Sequence, residues 1–504
     1  MSVTSAEMRA IEINAEYFGL SRLQLMENAG RSVADQISMR FKPPKKVVVF
    51  CGLGGNGGDG FVAARHLLER GFAVEIALAG TPSDISDNEA LANWNILEAF
   101  RSSLSIREIY DSSLIIDAKG DIVIDALLGT GLKAAPRPPI SQLIAKINSM
   151  KAFRVAVDVP SGINCDTGEA LGNAVKADLT ITFHRMKTGL KKASEYTGKL
   201  VVAPIGVPEQ LEQLAGPGDV QKITRPRSLT AHKGDFGRVL IIGGSEVFSG
   251  APALVACAAY RAGVDLVHVA APAKTAHDIS SMSADLITIK LEGEHVSQRN
   301  VSTLAPYLEK STAVAIGPGL GLHKETKAFV KEILELVETR KIPLLLDADA
   351  LKALADFRHK LKTPAVFTPH EGEYKTLTGH ELPDDLEKKA LDVRKTADKL
   401  GAVILLKGHT DIISDGKRCK FNLTGNPGMT VGGTGDVLSG VVAALLAQRV
   451  DPFEAAVAGA FINGAAGDFV ASMKGFHMVA TDLLEWIPKV MDDPMSHIQV
   501  RRHG

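Results

Sequence analysis

The chain has 504 residues, a formal net charge of −1, 45% hydrophobic and 23% charged residues. That length predicts more than one domain, because single cores rarely grow past about 250–300 residues. The near-neutral charge gives no reason to expect nucleic-acid binding or a polybasic membrane contact. Cys51, Cys165, Cys257 and Cys419 lie far apart with no CxxC pair, which argues against a zinc site or a disulfide framework and fits a reducing compartment. The first residues lack the basic-then-apolar layout of a signal peptide, and no apolar run is read as approaching the ~18–20 residues of a membrane span. A cytoplasmic protein is expected.

Thr4-x-x-Glu7 reads as a capping box opening a helix with Met8, Ile11 and Ala15 on one face. A second helix is predicted from about 21 to 41, ended by Pro43 and Pro44. Strands follow at 47–50, 72–79, 121–128, 154–159, 178–183 and 199–205, mostly separated by helix-compatible stretches, which predicts a parallel sheet covered on both faces. Polar and glycine-rich clusters fall just after strands: Asn56 and Asp59, Asp125 with Gly129 and Gly131, and Asp158 with Ser161 and Gly162. The carboxyl ends of strands form the ligand crevice of such sheets, so the three clusters can converge. The 52–60 run, which ends in a loop of Asn56 to Gly60, is not a GxGxxG dinucleotide motif and lacks the Lys-Ser/Thr of a P-loop. A plain βα turn is the alternative for it, and helix caps are the alternative for Asp125 and Asp158. Pro160 and Gly162 fix a turn presenting Asp158 and Ser161 together. Asn56, Asp125 and Ser161 are oxygen donors suited to a hard cation, which leaves Asp158 as acid/base.

Met26-Glu-Asn-Ala-Gly30, Asn56-Gly-Gly-Asp-Gly60, Asp125-Ala-Leu-Leu-Gly-Thr-Gly131 and Val157-Asp-Val-Pro-Ser-Gly162 resemble the NAD(P)H-hydrate epimerase family over about residues 5–207. The resemblance implies a Rossmann-like domain that interconverts the R and S epimers at C6 of hydrated NADH or NADPH and binds potassium. It implies substrate contact at Gly55, Asn56, Gly57, Gly58 and Asp59 and at Gly129, Thr130, Gly131, Leu132, Lys133, Ala134 and Ala135. Potassium would be ligated by Asn56, Asp125 and Ser161, with catalysis at Asp158. The family often has Asn-Asn where this chain has Gly55-Asn56, so one substrate-facing side chain is missing.

A linker is expected near 208–224, between domains at 1–215 and 221–504. Strands resume at 238–242, 266–271, 286–290, 313–316, 343–346, 365–367 and 403–406, and a hairpin is expected to turn through Asp415-Gly416 as a two-residue loop. The small-residue helix 250–263 reads as close packing, with close ligand approach as the alternative. Strand-end loops hold Gly317–Gly321, Asp347 and Asp349, His370 to Glu373, and Lys407 to Asp411. A solvated lysine is the alternative to a phosphate contact at Lys407. Gly428, Gly432, Gly433 and Gly435 precede Asp436 and an apolar run. A helix starting there would favour an anion at its amides, and a carboxylate beside a phosphate site suggests a general base, with a simple helix cap as the alternative.

His232-Lys-Gly-Asp-Phe-Gly-Arg238, Gly317–Gly321, Thr368-Pro-His-Glu-Gly-Glu373 and the 426–440 segment resemble the ADP- or ATP-dependent NAD(P)H-hydrate dehydratases of the ribokinase-like superfamily, over about 225–490. The resemblance implies hydrated-nucleotide contact at Ala251, Gly319, Gly321, His370 and Asp436. It places ADP or ATP, with Mg2+, at Lys407, Gly408, His409, Thr410 and Asp411 and at Gly432, Gly433, Thr434 and Gly435. Val431 stands where that family more often has a small residue. The expectation is a bifunctional α/β repair enzyme, homo-oligomeric, with K+ in one half and Asp436 as catalytic base in the other. The alternatives are a hydroxymethylpyrimidine-type kinase with an accessory first domain, and a first domain that only senses or docks a ligand.

Overall fold

The computed structural model describes residues 2–115, 118–357 and 360–501. The chain forms two compact units, Met1–Leu211 and Glu212–Gly504.

In the first unit, seven parallel strands are β1 (Lys46–Cys51), β2 (Ala73–Leu78), β3 (Ser105–Glu108), β4 (Ile122–Ala126), β5 (Phe153–Val157), β6 (Leu179–Phe183) and β7 (Lys199–Ala203). Their order across the sheet, β3-β2-β1-β4-β5-β6-β7, reverses direction between β1 and β4, the position where doubly wound sheets open a ligand crevice. Alternate residues of β1 serve opposite faces: Val47 and Val49 pack with Ala34, Phe61 and Leu67, while Val48 and Phe50 pack with Leu143, Ile144 and Ile147. The covering helices are α1 (Ser5–Tyr17), α2 (Arg22–Arg40), α3 (Gly55–Glu69), α4 (Asn88–Glu98) and α5 (Ile140–Ser149). Both predicted N-terminal features are present: Thr4 and Glu7 close a capping box, and Ser21 with Gln24 closes another at α2. Strand β3 was not expected, because its polar, edge-of-sheet sequence Ser-Ile-Arg-Glu carries no apolar run.

The 52–60 segment also differs from its reading as a loop. Helix α3 begins at Gly55, so Asn56 to Gly60 form its first turns. The glycines there serve close approach: a Cβ at Gly57 would lie 2.0 Å from the Gly52 carbonyl oxygen, and one at Gly60 would lie 2.7 Å from Ala126.

The second unit holds β8 (Arg238–Ile242), β9 (Leu266–Pro272), β10 (Ile287–Leu291), β11 (Ala313–Ile316), β12 (Leu344–Leu346), β13 (Ala365–Phe367), β14 (Val403–Leu406), β15 (Asp411–Ser414) and β16 (Cys419–Asn422). They order as β10-β9-β8-β11-β12-β13-β14-β15-β16, parallel except for the last two pairings. Helix α6 (Gly250–Arg261) and α8 (Thr434–Ala447) pack together over one face; α7 is Glu371–Thr378 and α9 is Pro452–Lys474. A Cβ at Gly440 would lie 2.3 Å from the Val255 carbonyl oxygen, so the small residues of α6 and α8 do bring two backbones together.

Three expectations are corrected here. The β15–β16 hairpin turns through four residues, not two: Ser414 pairs with Cys419, and Asp415 Oδ1 accepts from the amides of Lys417 and Arg418. The 208–224 segment is structured rather than a bare linker: Ala215 N donates to Phe421 O, and a helix at Pro217–Ile223 packs on α9 with Asp219 paired to Lys420. Finally, α9 is long and apolar enough to cross a membrane by length and composition, yet 83% of its apolar window is buried inside the protein.

Candidate active sites

In the first unit, the strand-end residues converge. Asp125 ends β4 fully buried, and its carboxylate accepts from Ser161 Oγ (2.6 Å), Ser161 N (2.8 Å) and Leu127 N (3.3 Å). Ser161 Oγ in turn accepts from Leu128 N at 2.9 Å, and Asn56 Nδ2 donates to Leu128 O at 3.1 Å. Burial pushes the Asp125 carboxyl up to about 6, with the hydrogen bonds from Ser161 opposing. A buried carboxylate, a hydroxyl and a main-chain carbonyl joined by these hydrogen bonds, with the Asn56 amide against them, are oxygen donors of the kind a hard cation takes. Gly129 sits against Asn56, so that a Cβ there would come within 3.3 Å of it, whereas Gly131 is open. Lys133, Ala134 and Ala135 are exposed, while Thr130 and Leu132 are half-buried.

Asp158 follows β5 with φ 61°, a left-handed conformation that costs a non-glycine residue about 1 kcal/mol or more. The strain aims its carboxylate at β6. Oδ1 accepts from Thr182 Oγ1 and Phe183 N, both at 3.0 Å, and is paired with Lys187 Nζ. Lys187 is 1% exposed and also donates to Phe183 O (3.0 Å) and Thr182 Oγ1 (3.1 Å), so its three protons are placed. Among the described residues, these bonds all fall on Oδ1. Asp59, one turn into α3, is held well above the ordinary carboxylate range by burial, then by Asp158, Glu12 and Asp87. At Gly55 a built Cβ comes no closer than 3.9 Å to Asp87 Oδ2 among the described residues beyond its chain neighbours, so the position has room for a side chain.

In the second unit, Asp436 lies in the first turn of α8. Burial, then repulsion from Asp347, raise its carboxyl to about 7, and Lys407 opposes them. Lys407 is not solvated: its Nζ is 3.1 Å from Asp347 Oδ1 and 4.0 Å from Glu373 Oε2, with the side chain 21% exposed. Burial alone would lower Lys407, but Asp347 and Glu373 hold it above its ordinary value. Ser439 Oγ fixes the other Asp347 oxygen at 2.7 Å. Gly435 lies beside Lys407, a built Cβ there being 3.3 Å from Nζ, and Gly433 (φ 99°) starts α8 where any Cβ would collide with Leu254 at 2.7 Å. Gly432 is open. Thr434 Oγ1 donates inward to Met429 O.

His370 caps α7, its Nδ1 accepting from Gly372 N (3.0 Å) and Glu373 N (3.2 Å), and bridges to Lys407 along the strand ends. Ala251 and Gly319 are neighbours, a built Gly319 Cβ lying 3.5 Å from Ala251 Cβ, and Gly321 N donates to Asp349 Oδ2 at 2.9 Å. Gly408 and His409 are exposed and Thr410 half-buried. Asp411 is tied inward, accepting from Gly408 N (3.0 Å) and Asn422 Nδ2 (2.9 Å), so it holds the turn rather than facing out.

Reading the sequence missed Lys187 and Glu12, left Asp347 and Ser439 without roles, and considered Glu373 only as a metal ligand beside His370. The signal for Lys187 was its place in the short turn that follows the end of β6.

Two family models match: one described as YjeF-related protein N-terminus over residues 22–189, and one described as NAD(P)H-hydrate dehydratase over 239–489. The chain is 46% identical to the bifunctional NAD(P)H-hydrate repair enzyme of Pyrobaculum aerophilum, covering 97% of this chain and 98% of that one. It is 45% identical to the same-named enzyme of Methanothermobacter thermautotrophicus, over 96% and 94%. Among solved structures, a hypothetical protein from Streptococcus mutans superposes with a TM-score of 0.50 at 27% identity, covering 56% of this chain and 99% of that one. The Rossmann-like first unit and the ribokinase-like second unit thus agree with what near-full-length similarity shows, and the chain belongs to the family of bifunctional NAD(P)H-hydrate repair enzymes.

Proposed function

We propose that each unit performs one step in repairing hydrated NADH or NADPH, with Asp158 and Asp436 as the two reacting carboxylates. The carrying observation is that each unit presents a partly accessible carboxyl at the carboxyl edge of its parallel sheet, beside a lysine that is buried in the first unit and half-buried in the second. In the hydrate, C6 of the nicotinamide ring bears a hydroxyl next to ring N1. The first unit interconverts the epimers at C6, with Asp158 moving protons and Lys187 holding it in place. K+ fits the oxygens of Asn56, Asp125 and Ser161, where it would supply charge and rigidity to the 125–131 and 158–162 turns. The amides at the start of α3 and the 129–135 loop would hold the substrate's phosphates and ring.

The second unit removes water from the S epimer. Asp436 takes the proton from the C6 hydroxyl as that oxygen receives a phosphoryl group from ADP or ATP; phosphate then leaves C6, pushed by the N1 lone pair, and a proton leaves C5 to solvent or a nearby base, which restores the C5–C6 double bond. Hydroxide is a poor leaving group and phosphate a good one, which explains why a nucleotide is consumed. The amides of 432–435 and Lys407 face the transferring charge. Lys407 to Asp411 and Gly432 to Gly435 form the nucleotide side, where Asp411 shapes the turn. Ala251, Gly319, Gly321 and His370 form the hydrated-nucleotide side. Mg2+ would accompany the nucleotide, and the Glu373 carboxylate is the oxygen donor placed near Lys407.

The test supplies mixed R and S hydrate with ADP or ATP and follows the return of NADH absorbance. Wild-type protein is expected to recover all of it. Asp436→Asn should cut recovery by about 10²–10⁴-fold while R–S exchange continues. Stable phosphorylated product without NADH would favour a small-molecule kinase instead.

A further inference from the structure

Glu12 of helix α1 has no part in the proposed reaction so far. Helix α1 turns Met8 (3% exposed) and Ala15 (0%) into the core, and Glu12 stands between them on the same stripe, four residues after Met8 and three before Ala15. A carboxyl in the middle of a core-facing stripe is costly unless it meets a partner or a task. The helix is fastened at this place. Ser2–Val3 pair in parallel with Met186–Lys187, with Val3 opposite Lys187. Ser5 donates through N and Oγ to Asp166 at 2.7 and 2.6 Å. The charged groups facing Glu12 are Asp158 and Lys187, with Arg22 at the start of α2 and Arg9 on α1 itself. Asp59 of α3 couples to both Glu12 and Asp158.

We infer that Glu12 is the second acid/base group of the epimerisation, serving the face of C6 opposite Asp158. This rests on the proposed role of Asp158. Inverting C6 by losing and regaining water needs a proton donor on one face and a proton acceptor on the other. A carboxylic acid protonates the C6 hydroxyl; the C6–O bond breaks as the N1 lone pair forms a C6=N1 iminium, and water leaves. On the other face a carboxylate takes a proton from a water whose oxygen bonds to C6, returning the C=N electrons to N1. One proton has moved between the two carboxyls, nothing is oxidised or reduced, and the reverse reaction swaps the roles. Two coupled carboxyls sharing one proton are therefore the required arrangement. Burial, then Asp158, raise Glu12 to about 7, so it is protonated in a useful fraction of molecules at neutral pH.

The experiment is Glu12→Gln in the full chain, assayed for R–S exchange by following each epimer. The kcat for exchange should fall by about 10²–10⁴-fold with KM little changed, and the alkaline limb expected of wild type near pH 7 should vanish. Dehydration of pure S epimer reports that the protein is folded. Exchange within about threefold of wild type, or a loss confined to KM, overturns the inference. If Glu12→Gln proves unstable, Glu12→Asp decides: slower exchange with a displaced limb supports the role, and an unchanged profile overturns it. Asp158→Asn run alongside separates the two claims. If it exchanges normally, the reading of the whole site fails; if it is inactive while Glu12→Gln is active, only the role of Glu12 fails.

Discussion

At the scale of single residues, the chemistry proposed for the second unit turns on three carboxylates around one lysine. Asp436 can act as a base only when ionised, and burial with Asp347 has moved that ionisation up to about 7. The kcat/KM for dehydration should therefore fall as pH drops below about 7 and level off above it. Asp347→Asn removes the repulsion and also frees Lys407 from its 3.1 Å partner. Both changes favour the ionised Asp436, so the acid limb should move to lower pH by about one unit. A pH profile in which the limb stays or climbs would show that another group controls the rate. The lysine cannot be replaced by a loose surface cation, because its position depends on Asp347, which is itself fixed by Ser439.

At the scale of elements, glycine decides where helices start and how closely they lie. Gly440 lets α8 approach α6, and Gly440→Ala would drive a Cβ to 2.3 Å from the Val255 carbonyl oxygen and 2.6 Å from Ala258. Alanine gains about 1 kcal/mol of helix preference over glycine, but overpacking against backbone costs about 1–3 kcal/mol or more. The net expectation is a loss of stability, read by denaturant unfolding. Gly432→Ala meets nothing within 4 Å, so its stability should stay within about 0.5 kcal/mol while the KM for the nucleotide rises. Equal destabilisation of the two variants would contradict this packing account. These same glycines explain what could be read from the sequence. The strand ends, with Asp125 and Asp158 beside them, could be picked out because apolar runs ending in polar residues have one common meaning in α/β sheets, and Asp436 because glycines crowd just ahead of an apolar helix. The start of α3 was hidden because Gly-Asn-Gly-Gly-Asp-Gly has poor helix preference, overridden here by tertiary packing at Gly57 and Gly60. Glu12 escaped notice because the stripe was read from Met8, Ile11 and Ala15, and a carboxyl among them looked like solvent surface. Lys187 sits on a two-residue strand too short to leave a pattern.

At the scale of the whole molecule, the question is where one machine ends and the next begins. Each unit closes its own sheet: the seven-stranded and nine-stranded sheets share no strand among the described residues. Each also holds its own core, around Val49, Phe61 and Trp94 in the first and around Leu240, Phe329 and Phe367 in the second. Fragments 1–211 and 212–504 should therefore fold separately with cooperative melts. The first should exchange epimers and the second should dehydrate only the S form, and mixing them should restore full recovery of NADH. The boundary itself is a sharper test. Gln213 O and Ala215 N bond to Phe421 of β16, and Asp219, 2% exposed, is held by Lys420. A fragment beginning at 221, where composition alone places the second domain, discards those bonds and the first half of the helix at Pro217–Ile223. It uncovers part of α9 and leaves Lys420 without its carboxylate. Its thermal midpoint should lie below that of 212–504, although its catalytic residues are the same. Equal midpoints would mean that the segment from 212 to 220 is a connector after all, and that the core of the second unit is complete without it.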